Sequence, residues 1–167
     1  KTVTGREETM STIQLDFAAK KRFELTYTDN EGKMNNEVFV IHRAPLSTHE
    51  RFIAFLIEHY AGKFPLWLSP VQAILIPIAS RHNDYCESVA LQMKSAGIRV
   101  DVDEKTVTTN KKIRNAQVQQ VNYILVVGDT EMNNNTINVR TMDNQVHGEK
   151  KVDSLIEELI KEIKEKK

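Results

Sequence analysis

The stretch "QAILIPIASRHNDYCESVALQMKSAGIRVDVD", residues 72–103, decides the fold. After Gln72, the seven residues 73–79 are continuously apolar, as in a strand buried on both faces. Ser80 then predicts a helix cap. Tyr85, Val89 and Met93 recur every four residues along one helical face, and Gly97 predicts the stop. "IRVDVD" (98–103) alternates and reads as a second strand. A strand, a helix and a strand in that order imply a parallel pair with the helix laid across it.

The pattern continues downstream. "NKKIRNAQVQQ" (110–120) predicts a short polar helix, and "YILVVG" (123–128) another buried strand. "TINVRT" (136–141) follows the Asn-rich turn "MNNN" and is expected antiparallel at the sheet edge. Val152, Leu155, Ile156, Leu159, Ile160 and Ile163 draw the stripe of a closing helix. The expected fold class is α/β: a mixed five-stranded sheet flanked by three helices over residues 69–167.

Upstream the chain changes character. "STIQLDF" (11–17), "FELTYTD" (23–29) and "EVFVIHRA" (37–44) read as antiparallel strands, with turn chemistry in "NEGK". Ser47 and Glu50 have capping-box spacing. The helix after them, with Phe52, Ile53, Phe55, Leu56, Ile57 and Tyr60, is apolar round most of its circumference and predicts a core helix. Pro65 and Pro70 bracket a linker, so a domain boundary is expected near Ser69, dividing 1–68 from 69–167. The first residue is lysine, and the chain reads as the C-terminal part of a longer protein. Strands cut from their sheet should then leave an unpaired edge and an exposed apolar face.

With 23 basic and 23 acidic residues, the formal charge is zero, so any nucleic-acid site must be a local patch. No run approaches a membrane span, and no secretory leader is evident. Cys86 is the single cysteine; its helical position reads as a small core residue, and its lack of a partner fits a reducing compartment.

Four groups of residues have chemistry to offer. His42 ends a strand, as a satisfied structural histidine or as a ligand; zinc needs three or four donors, which these residues alone do not supply. Arg51 sits in a helix's first turn, against the dipole. It is a surface arginine beside Glu50, or a guanidinium that stacks on a base or grips phosphate. Lys111, Lys112 and Arg114 crowd another helix start, among Thr106, Thr108, Thr109, Asn110, Asn115 and Gln117. That is a solvated polar face, or an anion site whose hydroxyls and amides read base edges and 2′-OH groups. Glu131 and Arg140 flank the Asn-rich turn, where a hairpin over 129–131 and 136–141 would form an edge salt bridge or a shared surface. There is no Ser/His/Asp set, no acid–base carboxylate pair and no Walker or dinucleotide loop, so no complete catalytic site.

"TIQLDF" (12–17), "VIHRAPLSTHERFIAFLIEHYAGKFPLWLSPVQ" (40–72), "GIRVDVD" (97–103), "NKKIRNAQ" (110–117) and "YILVVGDTE…NVRT" (123–141) follow one another as in the C-terminal part of the threonyl-tRNA synthetase family. The block 38–72 resembles motif 3 of a class II aminoacyl-tRNA synthetase running into its linker, and the remainder resembles the anticodon-binding domain. The resemblance implies a ligase that joins threonine to tRNA(Thr) with ATP and Mg2+, one Zn2+, a cytoplasmic location and a homodimer. His42 matches a zinc ligand and Arg51 the arginine stacked on adenine. Thr12, Gln14, Ala44 and Thr48 match the ATP and threonine pocket, with Gln14 and Arg51 as its catalytic members. Arg114, Glu131 and Arg140 match anticodon contacts, to which Lys112, Asn115, Thr106 and Thr108 are added. Thr106 and Thr108 fall where bacterial members commonly carry Asn and Lys, and Ser47 falls where glycine is usual. The competing reading is a stand-alone RNA-binding module or accessory subunit of the same fold.

Overall fold

The computed structural model describes residues 1–3 and 5–166. They form two compact units, Lys1–Gly62 and Lys63–Lys167.

In the first unit, β1 (Thr12–Asp16) pairs antiparallel with β4 (Val40–Ala44), in the register Thr12↔Ala44 and Gln14↔His42. β2 (Tyr27–Thr28) and β3 (Met34–Asn35) form a separate small hairpin. Asp29 shapes its turn by accepting the N–H groups of Glu31 and Lys33 at 2.9 and 3.0 Å. The strand expected over 23–29 is therefore mostly something else. The Asp16 carboxylate accepts the N–H groups of Ala18 and Ala19, both at 2.9 Å, and starts the one-turn α1 (Ala19–Arg22). Glu24 is left-handed, and the Leu25 N–H bonds back to Lys20. That geometry breaks a ladder before Tyr27.

The cap of α2 (His49–Tyr60) differs from expectation by one residue. Thr48 is the N-cap, and its Oγ1 accepts the Arg51 N–H at 3.4 Å. Ser47, at φ 57°, supplies the left-handed turn into it. A side chain in that region costs about 1 kcal/mol that glycine does not incur. Ser47→Gly is thus expected to stabilise the first unit by up to about 1 kcal/mol, read as a higher denaturation midpoint; a lower midpoint would show that the serine side chain has a compensating partner.

The expected core helix is not a core helix within this unit. None of the α2 residues is buried, and Ile53 and Ile57 are exposed. Ile13, Leu15 and Ile41, on one face of the β1–β4 pair, are exposed as well. Phe17 and Phe39 meet edge to face at 5.7 Å but stay exposed. Among the described residues of this unit only Thr2 and Ala19 are buried. The expected apolar face and open strand edges are present, since β1 and β4 each have one partner.

The second unit carries the core. β5 (Ala73–Pro77), β6 (Val100–Val102) and β7 (Tyr123–Val127) are parallel; β8 (Thr136–Thr141) and β9 (Val146–Lys151) run antiparallel, in the order β6-β5-β7-β8-β9. β8 is antiparallel as expected but lies inside the sheet. The edge is β9, whose sequence VHGEKK shows no apolar alternation. One face packs Leu75, Leu125, Ile137 and Val139 against α3 (Asn83–Ser95) and α6 (Val152–Glu165). The other packs Ile76, Ile124 and Val126 against Ala116 of α4 (Thr109–Val118). Each fully buried aliphatic side chain contributes about 1.5–3 kcal/mol. The three flanking helices are as expected. A fourth, α5 (Asp129–Asn134), occupies the expected Asn-rich turn.

Ser80 does not cap α3. Ser80–His82 form a single 3₁₀ turn, closed by the Ala79 N–H donating to His82 Nδ1 at 3.2 Å. Residues 63–68, expected to close the first unit, pack with the second. Leu66 is buried; its carbonyl accepts Gln72 Nε2 at 2.8 Å, and the Trp67 and Ser69 carbonyls accept the Arg99 guanidinium at 2.9 and 2.8 Å. Cys86 is fully buried beneath α3, as expected, and burial pushes its thiol up to about 12. Among the described residues no helix is long and apolar enough to cross a membrane.

Candidate nucleic-acid interface

The chain leaves β5 toward β6 on one side, while β7 lies on the other, so the carboxyl ends of these strands form a switch point. A cavity of about 490 Å³ opens there. Ile78, Ser80 and Asn83 line it from the β5 exit; Glu104, Thr106 and Thr108 line it from the segment leading into α4. The two threonines singled out in the sequence are thus brought to one cavity. No acidic residue stands in the first turn of α4, and no side chain caps it.

Lys112 is not the accessible cation expected. It is only 5% exposed, and its Nζ donates to the carbonyls of Pro77 at 3.1 Å and Asp103 at 2.8 Å. It ties the end of β5 to the end of β6. An ammonium has three donors, and here it serves the carbonyl at the end of β5 and the one just past β6 together. Lys111 and Arg114 are the exposed cations of this helix; Asn115 is half-buried.

Glu131 belongs to α5, not to a hairpin with 136–141. Its Oε2 accepts the Gly128 N–H at 2.9 Å. Gly128 is tightly enclosed: a Cβ there would lie 2.9 Å from Ile78 Cδ1 and 3.2 Å from Glu131 Oε2. Ile78 also lines the cavity; Glu131 is not among its lining residues, but its carboxylate and Ile78 flank the same glycine, Gly128. Arg140 lies opposite Ile124 and Asn138 opposite Val126, on the sheet face that α4 covers only in part. Arg140 Nε and Asn138 Oδ1 are buried without a hydrogen-bond partner among the described residues. Among the described residues no ion pair forms between Glu131 and Arg140.

The first unit gathers its expected residues less completely. Cross-strand register puts Thr12, Gln14, His42 and Ala44 on one sheet face. His42 is exposed, with Nε2 3.1 Å from Asp16 Oδ2. The Ala19 N–H and then His42 hold the Asp16 carboxyl below its ordinary value. Arg51 lines a separate groove of about 310 Å³ with Arg6, Glu8, Phe55 and Glu58. His42 is not among the residues that line that groove. Thr48 uses its oxygen as the helix cap. No group of three His, Cys, Asp or Glu side chains converges among the described residues, so they do not by themselves make a zinc site.

Two constellations were not anticipated. Arg81 grips Asp129 through Nε at 2.8 Å and Nη2 at 2.6 Å, and buried His82 reaches the same carboxylate through Nε2 at 2.9 Å. Arg81 first, then His82, holds that carboxyl far below the usual range. The signal was present: "RH" and "GD" each follow a buried strand, but only the strand order makes them neighbours. Elsewhere Thr141, Asp143 and His147 come together like a hydrolytic triad. The Thr141 hydroxyl donates to Asp143, however, so the His147 Nε2 at 3.2 Å is no base for it.

Residues 72–163 match the family described as anticodon binding domain. The chain is 51% identical over 148 residues, 89% of its length, to a protein named threonine–tRNA ligase from Protochlamydia amoebophila, of which it covers 23%. It is 48% identical over 160 residues to mouse threonine–tRNA ligase 2, cytoplasmic, covering 95% of this chain and 20% of that protein. The chain thus spans about a quarter of the length of the curated relatives it matches. A solved structure of the RNA-binding domain of threonyl-tRNA synthetase from Cryptosporidium parvum superposes with a TM-score of 0.74 at 36% identity, over 95% of this chain and 40% of that one. A prolyl-tRNA synthetase from the same organism shares the fold, at a TM-score of 0.68 and 21% identity over 94% of this chain and 34% of that one.

Proposed function

We propose, since the chain belongs to the anticodon binding domain family, that it is the C-terminal part of a threonine–tRNA ligase whose second unit holds the anticodon of tRNA(Thr). The observation that carries this reading is the cavity at the strand ends, with Thr106 and Thr108 in its lining; the Glu131 carboxylate flanks Gly128 together with the lining residue Ile78. A loop of RNA can unstack its bases, and hydroxyls, amides and a carboxylate then pair with their edges. Arg114 and Arg140 supply the forked donors that base acceptors and phosphate oxygens take in pairs.

In the whole protein, ATP and threonine would condense to an adenylate with release of pyrophosphate, and the threonyl group would pass to a terminal hydroxyl of tRNA with release of AMP. The exposed face of Thr12, Gln14, His42 and Ala44 and the guanidinium of Arg51 would border that site. His42 would be one donor to a zinc whose other ligands lie outside this face; no step is derived through that ion. Mg2+ with the nucleotide, a homodimer and a cytoplasmic location complete the reading.

The test is direct. The chain should bind the tRNA(Thr) anticodon stem-loop at least about tenfold more tightly than a hairpin of equal length and unrelated loop, at one fixed salt concentration. Equal affinity for both would overturn the anticodon reading. By itself the chain should carry out no threonine-dependent pyrophosphate exchange; a rate near that of a complete ligase would overturn the assignment of the chemistry to residues beyond it.

A further inference from the structure

The Arg81–Asp129–His82 cluster takes no part in the reading above, yet it sits between its two halves. α5 has six residues and none is buried, so packing alone does not fix it. Asp129 opens that helix and Glu131 follows two residues later. His82 is 1% exposed, and its Nδ1 accepts the Ala79 N–H, so Nε2 carries the proton and donates to Asp129. Arg81 adds a two-pronged grip on the same carboxylate. The donors come from the β5 exit, whose Ile78, Ala79 and Ser80 form one wall of the cavity. The acceptor comes from the β7 exit, which carries Glu131.

We infer that Arg81, His82 and Asp129 form a positioning clasp that sets the Glu131 carboxylate at a fixed distance from the cavity wall, so that one RNA loop engages both. The inference rests on the anticodon reading. The clasp touches no RNA itself. Its effect is preorganisation: with α5 tied down, binding orders fewer protein groups. With the Asp129 carboxyl held far below its ordinary range, the contribution of the clasp is present above the unfolded pKa and is lost only as pH falls through the lowered folded value.

The experiment uses the 167-residue chain and three RNAs at one salt concentration: the tRNA(Thr) anticodon stem-loop, the same loop with one anticodon base replaced, and an unrelated hairpin. Arg81→Ala and Asp129→Asn, both at exposed side chains, are expected to weaken the first by about tenfold and the third by less than about twofold, so that discrimination collapses. Arg81→Lys keeps the charge without the fork and should fall between parent and Arg81→Ala. Amide exchange over Asp129–Asn134 should quicken in the same variants while that of β5 and β7 does not.

Unchanged discrimination, equal weakening of all three RNAs, or unchanged exchange in α5 would each overturn the clasp. Exchange decides the matter for any variant too unstable for binding work: quickening throughout β5 and β7 would mark the cluster as a general structural tie and overturn the inference. A parent chain that does not distinguish the first RNA from the third sinks the anticodon reading itself, whereas a discriminating parent with unaffected variants sinks only the clasp.

Discussion

Lys112→Met is expected to lower the stability of the second unit by about 2–4 kcal/mol. The side chain is nearly isosteric, so little of the loss comes from a cavity. What is lost is the ammonium that donates to the carbonyls of Pro77 and Asp103, both in buried residues, at the end of β5 and just past the end of the adjacent parallel β6. Each would lose this charged donor beside the cavity that Lys112 helps to line. The measurement is the denaturant midpoint at neutral pH, with the slope of the transition checked for constancy. The same variant separates two roles for this lysine. A phosphate contact would reduce the salt dependence of RNA binding by about one unit of logarithmic slope. A strand tie leaves the slope alone in whatever fraction stays folded. Unchanged stability with a reduced slope would overturn the structural assignment.

Arg140→Met should behave in the opposite way. The guanidinium Nε is buried without a partner among the described residues, so removing it relieves an unsatisfied donor. Folding stability should change by less than about 1 kcal/mol, in either direction. Affinity for the anticodon stem-loop should fall by about 1–3 kcal/mol if the arginine pairs with a base edge. Arg140→Lys should not restore it, because a lysine presents no planar fork. A loss shared equally by unrelated hairpins would reassign Arg140 to the phosphate backbone. No loss at all would remove it from the interface.

The two arginine and lysine positions show where the sequence is legible and where it is not. β5 and β7 announce themselves, since AILIP and YILVV have no polar position to place toward water. The stripe of α6 is equally plain. β9 is hidden because an edge strand facing solvent can be written in polar residues, and VHGEKK is. The asparagines after Glu131 favour a turn and so suggest a hairpin; the preceding Gly128-Asp129 and the reach of Glu131 back to the Gly128 N–H belong instead to a helix start. By charge alone Lys112 groups with its neighbours Lys111 and Arg114. Helical periodicity separates them, for Lys112 faces inward with Ala116, four residues on. The His82–Asp129 contact spans 47 residues and depends on which strands lie side by side, which periodicity does not encode. In the first unit, antiparallel strands are legible in the sequence, but the register that sets Gln14 opposite His42 is not, since strand pattern alone does not fix which residues pair.

Cys86 has a practical consequence. Its sulfur is sealed under α3 and so reluctant to ionise that a maleimide at neutral pH will find almost no thiolate to attack. A cysteine engineered at a solvent-facing position such as Lys111 would therefore take a fluorophore alone, with the native thiol left in place, and the arrival of an RNA loop could be timed by energy transfer from that single dye.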